Sequence, residues 1–314
     1  MLEPDATIDS RLVNGRVIWL NGQHRSGFVI RDGVIYEDTE PEEDAWRTVD
    51  ASGFLVLPGL IQFAEPTLTE GAQAASHGLT TALVAIGAST FDEVLQSLDS
   101  LRNSFLDYFP VWKLTGDVPG HDIQHALDAG ITAFACDSAV IASRVLDTQG
   151  FLTLRMPLSL RPQIAAEGTN ATVIYTSSSP SDVLLIRPTS EREFLDVEVD
   201  GGTALDDLRR LLSSKQQRLM ISGTPELLNM LHQVAIREDD YHAIARMTAH
   251  RQAVAYGIGN KRGFEQGGDA DFVVFDPSGD GAVIFTMTHG EILIYNDEVH
   301  TASGDGRRLS RSGS

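Results

Sequence analysis

The chain has 314 residues, 24 of them basic and 44 acidic, for a net charge of −20. Hydrophobic content of 42 % fits a globular protein with a sizeable core, and no apolar run nears the ~18 residues of a membrane span. The charge argues against nucleic acid and anionic membranes, which need basic patches, and the start Met1–Asp5 lacks the basic and apolar regions of a signal peptide, so a cytoplasmic protein is expected. The single cysteine, Cys136, excludes an intrachain disulfide and a thiolate metal cluster; in its apolar run it reads as a buried, inert thiol.

The first 50 residues read as short strands. Asn14-Gly15, Asn21-Gly22 and Asp32-Gly33 separate apolar runs, and such pairs supply the positive φ angles of tight hairpins. Glu37–Arg47 is acidic and reads as a loop. From residue 55 to about 258 short apolar runs alternate with helical patterns. Eight runs are candidate strands: Leu55–Ile61, Thr80–Ile86, Val111–Leu114, Ile131–Cys136, Phe151–Arg155, Ala171–Tyr175, Val183–Ile186 and Arg218–Ile221. Continuous apolarity suits parallel strands buried on both faces. Thr90-Phe91-Asp92-Glu93 is a capping box, Gly78 and Gly130 sit where a helix ends before a strand, and Thr224-Pro225 reads as a helix start. This alternation implies a (β/α)₈ barrel near its lower size limit. One junction does not fit: only residues 176–182 join the sixth run to the seventh, too few for a parallel crossover of ~10 residues or more, so either a helix is missing or the two runs form a hairpin. Strands return after 262: Asp271–Phe275, Val283–Thr288 and Glu291–Tyr295, with His289-Gly290 as a turn. The Gly/Ser/Arg-rich end, with three arginines, reads as disordered.

Two segments carry a resemblance. Gly53-Phe-Leu-Val-Leu-Pro-Gly-Leu-Ile61 and Gly267-Gly-Asp-Ala-Asp-Phe-Val-Val-Phe-Asp-Pro277 resemble the two ends of the cyclic-amide amidohydrolases: dihydroorotase, allantoinase and hydantoinase. The resemblance spans roughly residues 11–300. It implies a reduced or irregular (β/α)₈ barrel over 55–261, a small composite β-sandwich from 1–54 and 262–300, and a disordered tail over 301–314.

In that family one or two divalent metals, zinc among them, sit at the C-terminal mouth of the barrel and activate a water that attacks the ring amide. Their ligands are four histidines, an aspartate and, in two-metal forms, a carboxylated lysine. Carried across motif by motif, these positions fall at Ala64 and Pro66 after the first strand, Ala135 in the fourth, about Arg155 in the fifth, about Tyr175 in the sixth and Gly223 in the eighth. None of these residue types except tyrosine offers a metal a donor, and Arg155 would repel one. No metal cofactor is therefore expected, and no catalytic residue is assigned. Gln62, Glu65, Asp137, Arg155 and Tyr175 are the candidate pocket residues, with Arg155 expected to pair with Glu65 or Asp137 and so plug the mouth.

Other histidines give weaker signals. His121 and His125 share a helix face, but Ile123, Ala126 and Leu127 mark the opposite face as the buried one. His77 stands at a helix end. His242 and His250 are poorly placed to converge on the mouth.

Three functions remain open. The first is a non-catalytic scaffold or assembly subunit, partnered by a protein such as aspartate carbamoyltransferase of pyrimidine metabolism or by self-association. The second is a hydrolase of non-peptide C–N bonds with a rebuilt site. The third is a small-molecule binding module.

Overall fold

The computed structural model describes residues 8–20, 24–39, 44–63, 68–148, 150–164, 169–261, 263–278, 281–296, 298–300 and 306–311. Eight strands pair in chain order, all parallel, in one sheet: β1 (Leu60–Phe63), β2 (Leu79–Ala88), β3 (Asp107–Leu114), β4 (Ala133–Ala135), β5 (Thr153–Pro157), β6 (Thr172–Ser177), β7 (Glu193–Val199) and β8 (Leu219–Gly223). The sheet curls until β8 meets β1, and the π-helical turn Arg246–His250 packs against both edge strands. The result is a nearly closed barrel. Helices such as Phe91–Ser100 and Gly120–Asp128 cover it, burying Val94 and Leu98, and Ile123 and Ala126.

Local chemistry sets the element ends. The capping box holds: Thr90 Oγ1 accepts from Glu93 N, and Glu93 Oε2 accepts from Thr90 N. Gly78 and Gly130 adopt φ of +90° and +79°, as a left-handed helix end requires. Thr224 does not cap its helix, which starts only at Leu227.

The seventh strand differs from the expectation, and this removes the misfit junction. Val183 and Leu184 belong to the short helix Pro180–Leu184, with Ser179 Oγ accepting from Asp182 N and proline at the first position. The strand itself is Glu193–Val199, so the crossover from β6 contains a helix and the barrel has all eight strands. The first apolar run is also divided. Leu55–Pro58 joins the sandwich, and β1 begins only after Gly59, where any Cβ would overlap the Thr80 side chain.

Two further sheets form the sandwich. One has the order Val34–Tyr36, Phe28–Arg31, Ile8–Val13, Ala45–Asp50. The other runs from Glu298–Val299 through Glu291–Tyr295, Val283–Thr288, Phe272–Phe275, Leu55–Pro58 and Arg16–Ile18 to His24–Arg25. N- and C-terminal segments meet where Phe272–Phe275 pairs antiparallel with Leu55–Pro58. An aromatic cluster of Trp19, Phe28, Phe264, Phe272 and Phe285 fills the space between the sheets. Asp32-Gly33 and His289-Gly290 turn hairpins with positive φ at both residues. Asn14-Gly15 instead carries the chain from one sheet to the other, because Ile8–Val13 and Arg16–Ile18 pair with different partners. Asn21-Gly22 lies outside the described residues. Ala45–Asp50, expected as the end of a loop and the residues after it, is a strand parallel to Ile8–Val13.

The chain end also departs from expectation. Residues 306–311, expected to be disordered, cross the N-terminal face of the barrel. Tyr108 N donates to Arg307 O (2.9 Å), Leu309 N to Tyr108 O (2.7 Å), and Arg311 Nη1 to Thr153 Oγ1 (3.0 Å). Arg307 donates to Asp269, and Arg308 to the Ala129 carbonyl at a helix end. No helix among the described residues is long and apolar enough to cross a membrane.

Candidate functional site

Parallel strands alternate their side chains between the barrel interior and the helix layer. Ile61, Leu83, Phe109, Ile174, Phe194 and Met220 point inward and pack on Ala253, Tyr256 and Ile258, so the lower barrel is solid. One step up the strands the inward residues turn small or polar: Ala85 on β2, Lys113 on β3, Ala135 on β4, Arg155 on β5, Thr176 on β6, Glu198 on β7 and Ser222 on β8. They line an open cavity of about 750 Å³ at the C-terminal mouth, where barrels of this type place their chemistry.

Arg155 dominates its floor. The residue is 6 % exposed. Its Nη1 donates to Asp196 Oδ2 (2.5 Å), its Nη2 to Glu198 Oε1 (2.5 Å), and the guanidinium lies 4.3 Å from the centre of the Phe63 ring. Ser222 Oγ donates to the same Asp196 oxygen at 2.9 Å. Burial alone would lower the guanidinium pKa, but the Asp196 carboxylate outweighs it and holds Arg155 firmly protonated. Beneath it Tyr256 is fully buried, and burial pushes its phenol up to about 12.

The structure brings some of the sequence-derived positions together and separates others. Ala135, Asp137, Arg155 and Gly223 line the cavity together. Arg155 pairs with carboxylates as expected, but the partners are Asp196 and Glu198 of the unforeseen seventh strand. The described residues leave the mouth open rather than plugged. Tyr175 faces the helix layer, buried, with the Arg161 guanidinium 5.8 Å from its ring; the sixth-strand register is one residue off, and Thr176 lines the mouth instead. Gln62 is likewise excluded: Ile61 and Phe63 take the inward places on β1 and turn it outward, where it is buried. Ala64, Glu65 and Pro66 lie outside the described residues. Cys136 is buried at the cavity wall, and burial pushes its thiol up to about 11.

Three of the described positions that the resemblance aligns with metal ligands do not fit a divalent metal. Ala135 has no donor atom, and Arg155 brings a positive charge. At Gly223 even a Cβ would collide with the Val199 carbonyl, so no side chain fits there. No hydrolytic step can be routed through a metal held by these three positions.

Among the described residues, the group of acids and histidine close enough to share an ion lies at the other end of the barrel: Asp107, Asp269, Asp271 and His289. A lysine already occupies its centre. Lys261 Nζ, almost fully buried, sits 2.5 Å from Asp107, 3.4 Å from Asp269 and in contact with Asp271. His289 Nε2 lies 2.7 Å from Asp107, and the tail's Arg307 Nη2 donates to Asp269 at 2.8 Å. Burial would raise the Asp107 carboxyl, but the His289 hydrogen bond and the Lys261 charge overcome this and hold it far below the usual range. Asp269 moves the other way, raised chiefly by burial. The cluster ties barrel, sandwich and tail into one unit. Only the Asp269-Ala-Asp271 motif hinted at it in the sequence; Asp107 and Lys261 are 154 positions apart.

No family model matches the chain, and no curated protein sequence does either. Solved structures do. L-hydantoinase (dihydropyrimidinase) from Arthrobacter aurescens matches with a TM-score of 0.78 and 15 % identity, over 97 % of this chain and 100 % of that one. Dihydropyrimidinase from Brevibacillus agri matches with a TM-score of 0.77 and 13 % identity, over 96 % and 98 %. N-acyl-D-glutamate deacylase from Bordetella bronchiseptica, solved with zinc and a phosphonate inhibitor, matches with 0.74 and 15 %, over 98 % and 100 %. At these identities the likeness establishes the fold.

Proposed function

Taking as premise that the chain has the amidohydrolase fold seen in hydantoinases and dihydropyrimidinases, we propose that it is a non-hydrolytic protein of that fold whose barrel mouth binds a small molecule without a catalytic metal. One observation carries this reading: Arg155, which the sequence resemblance aligns with a metal ligand, is clamped by Asp196 and Glu198 beneath an open cavity of about 750 Å³. A buried guanidinium held by two carboxylates places a fixed positive charge at the floor of the mouth, which disfavours a cation beside it. The cavity size lies within the ~300–1,000 Å³ of small-molecule sites, and its wall is mostly apolar with a few convergent polar groups. A scaffold role alone would not call for a pocket, so the open mouth ranks binding above it.

The experiment pairs two measurements on full-length protein dialysed against a chelator. Assays with hydantoin, dihydrouracil and dihydroorotate, with zinc or manganese added back, are expected to show no turnover. A thermal-shift screen of small acids, amines, amides and zwitterions is expected to find stabilising compounds. Metal-dependent turnover would overturn the non-hydrolytic reading. A screen without any stabilising compound would overturn the binding reading and leave the scaffold role.

A further inference from the structure

Among the described residues, four charged side chains line the mouth: Lys113, Asp137, Arg155 and Glu198. Arg155 and Glu198 satisfy each other. Lys113 and Asp137 are different. Both are exposed, and neither makes a hydrogen bond or ion pair with any described residue, nor do they pair with each other. Lys113 stands near the end of β3, in register with Gly87 of β2 and Ala135 of β4. Its register partners thus offer it nothing larger than the Ala135 methyl. Asp137 lies two residues beyond the end of β4, the adjacent strand. The wall around this opposite pair is apolar, including Phe63, Leu114, Met156, Pro157 and Val199.

The cavity continues. Past Pro157, Thr176 and Glu198 it opens into a groove of about 650 Å³ bordered by Leu158, Leu185 and Ile186, where the described residues include the acids Asp182 and Glu198 and no base. Leu185 is 84 % exposed there.

We propose, resting on the binding role argued above, that the mouth receives a zwitterion of the amino-acid or short-peptide type with an apolar side chain. Lys113 meets the carboxylate. Asp137 meets the ammonium. Leu158, Leu185 and Ile186 receive the apolar side chain. Two opposite charges left unpaired within one concave, mostly apolar wall recognise a ligand carrying both charges; a ligand with one charge would leave the other residue unanswered. The acidic groove disfavours a carboxylate on its side, which fixes the orientation.

The test is calorimetric titration of the full chain, chelator-dialysed, at neutral pH. The probes are L-leucine, leucyl-leucine, leucinamide, which lacks the carboxylate, and N-acetyl-leucine, which lacks the ammonium. At least one of the two zwitterions is expected to bind, and which one binds more tightly decides between a free amino acid and a peptide. Each singly charged analogue of leucine is expected to bind ~10-fold or more weakly, about 1.4 kcal/mol. Lys113→Met should erase the preference for leucine over leucinamide, and Asp137→Asn the preference over N-acetyl-leucine. Both residues are exposed, and circular dichroism would confirm folding. Equal binding of the singly charged analogues overturns the proposal. So does the absence of zwitterion binding when other compounds from the screen stabilise the protein, and in that case the binding role survives. Absence of any stabilising compound removes the binding role itself.

Discussion

The two ends of the barrel solve opposite problems with the same kinds of residue. At the N-terminal end Lys261, three aspartates, His289 and Arg307 interlock, and the chain end is laid across them. Among the described residues of the C-terminal mouth one ion pair set, Arg155 with Asp196 and Glu198, is equally tight, but around it the wall is open and two charges stand unpaired. Charge at the closed end is consumed by structure, whereas at the mouth part of it is left for something that is not the protein. In this fold, then, a cluster of acids is no guide to the site; whether the charges are already answered is.

The sharpest way to break this comparison is at the closed end. Asp107→Asn leaves Lys261 buried with its compensation reduced, and ~3–5 kcal/mol of stability should be lost in urea unfolding. Lys113→Met, at an exposed unpaired position, should stay within ~0.5 kcal/mol. Similar losses in both would show that the ends do not differ in this way. The pH dependence follows the same logic. The Asp107 carboxyl is held below its unfolded value, so its contribution is present above pH ~4 and is lost as pH falls further towards the folded pKa. The Asp107→Asn variant should therefore show a shallower acid decline. Asp269, raised by burial, contributes with the opposite sign and moderates the slope.

Arg155→Met tests the mouth and should cost ~2–3 kcal/mol, since it leaves the fully buried Asp196 without its counter-charge. Glu198, half exposed, can turn to water. Replacing Asp196 by leucine in the same protein should recover most of the loss. No recovery would mean that the pair is not acting as a unit. The smallest effect concerns Cys136. With its thiol pushed up to about 11, only ~0.1 % is thiolate at pH 8, so alkylation should be slow and rise about tenfold per pH unit up to pH 10. Fast, pH-independent labelling would contradict a buried thiol.

How much of this was legible in the sequence follows from how local each signal is. Capping boxes, positive-φ turn pairs and the strand motifs at the two ends depend on neighbours in the chain, and Thr90, Gly78, Asp32-Gly33 and the Phe272–Phe275 strand stood where expected. The seventh strand was hidden because Asp196 and Glu198 point into the barrel. A strand with acids on its inner face breaks the apolar pattern used to find the others. The Val183 run mimicked a strand while lying in a helix. The same omission concealed the true partners of Arg155, and a one-residue slip put Tyr175 in place of Thr176. The Lys261 cluster draws on residues up to 200 positions apart, as between Asp107 and Arg307, and pairing at that distance leaves no local trace.

The central claim is that the mouth works without a divalent metal. It is tested most directly by crystals grown with excess zinc and measured at the zinc absorption edge. The account predicts no ordered anomalous peak inside the cavity and an intact Arg155–Asp196–Glu198 pairing. A full-occupancy peak at the mouth, ligated by Asp137 or Glu198 with Arg155 displaced, would contradict it.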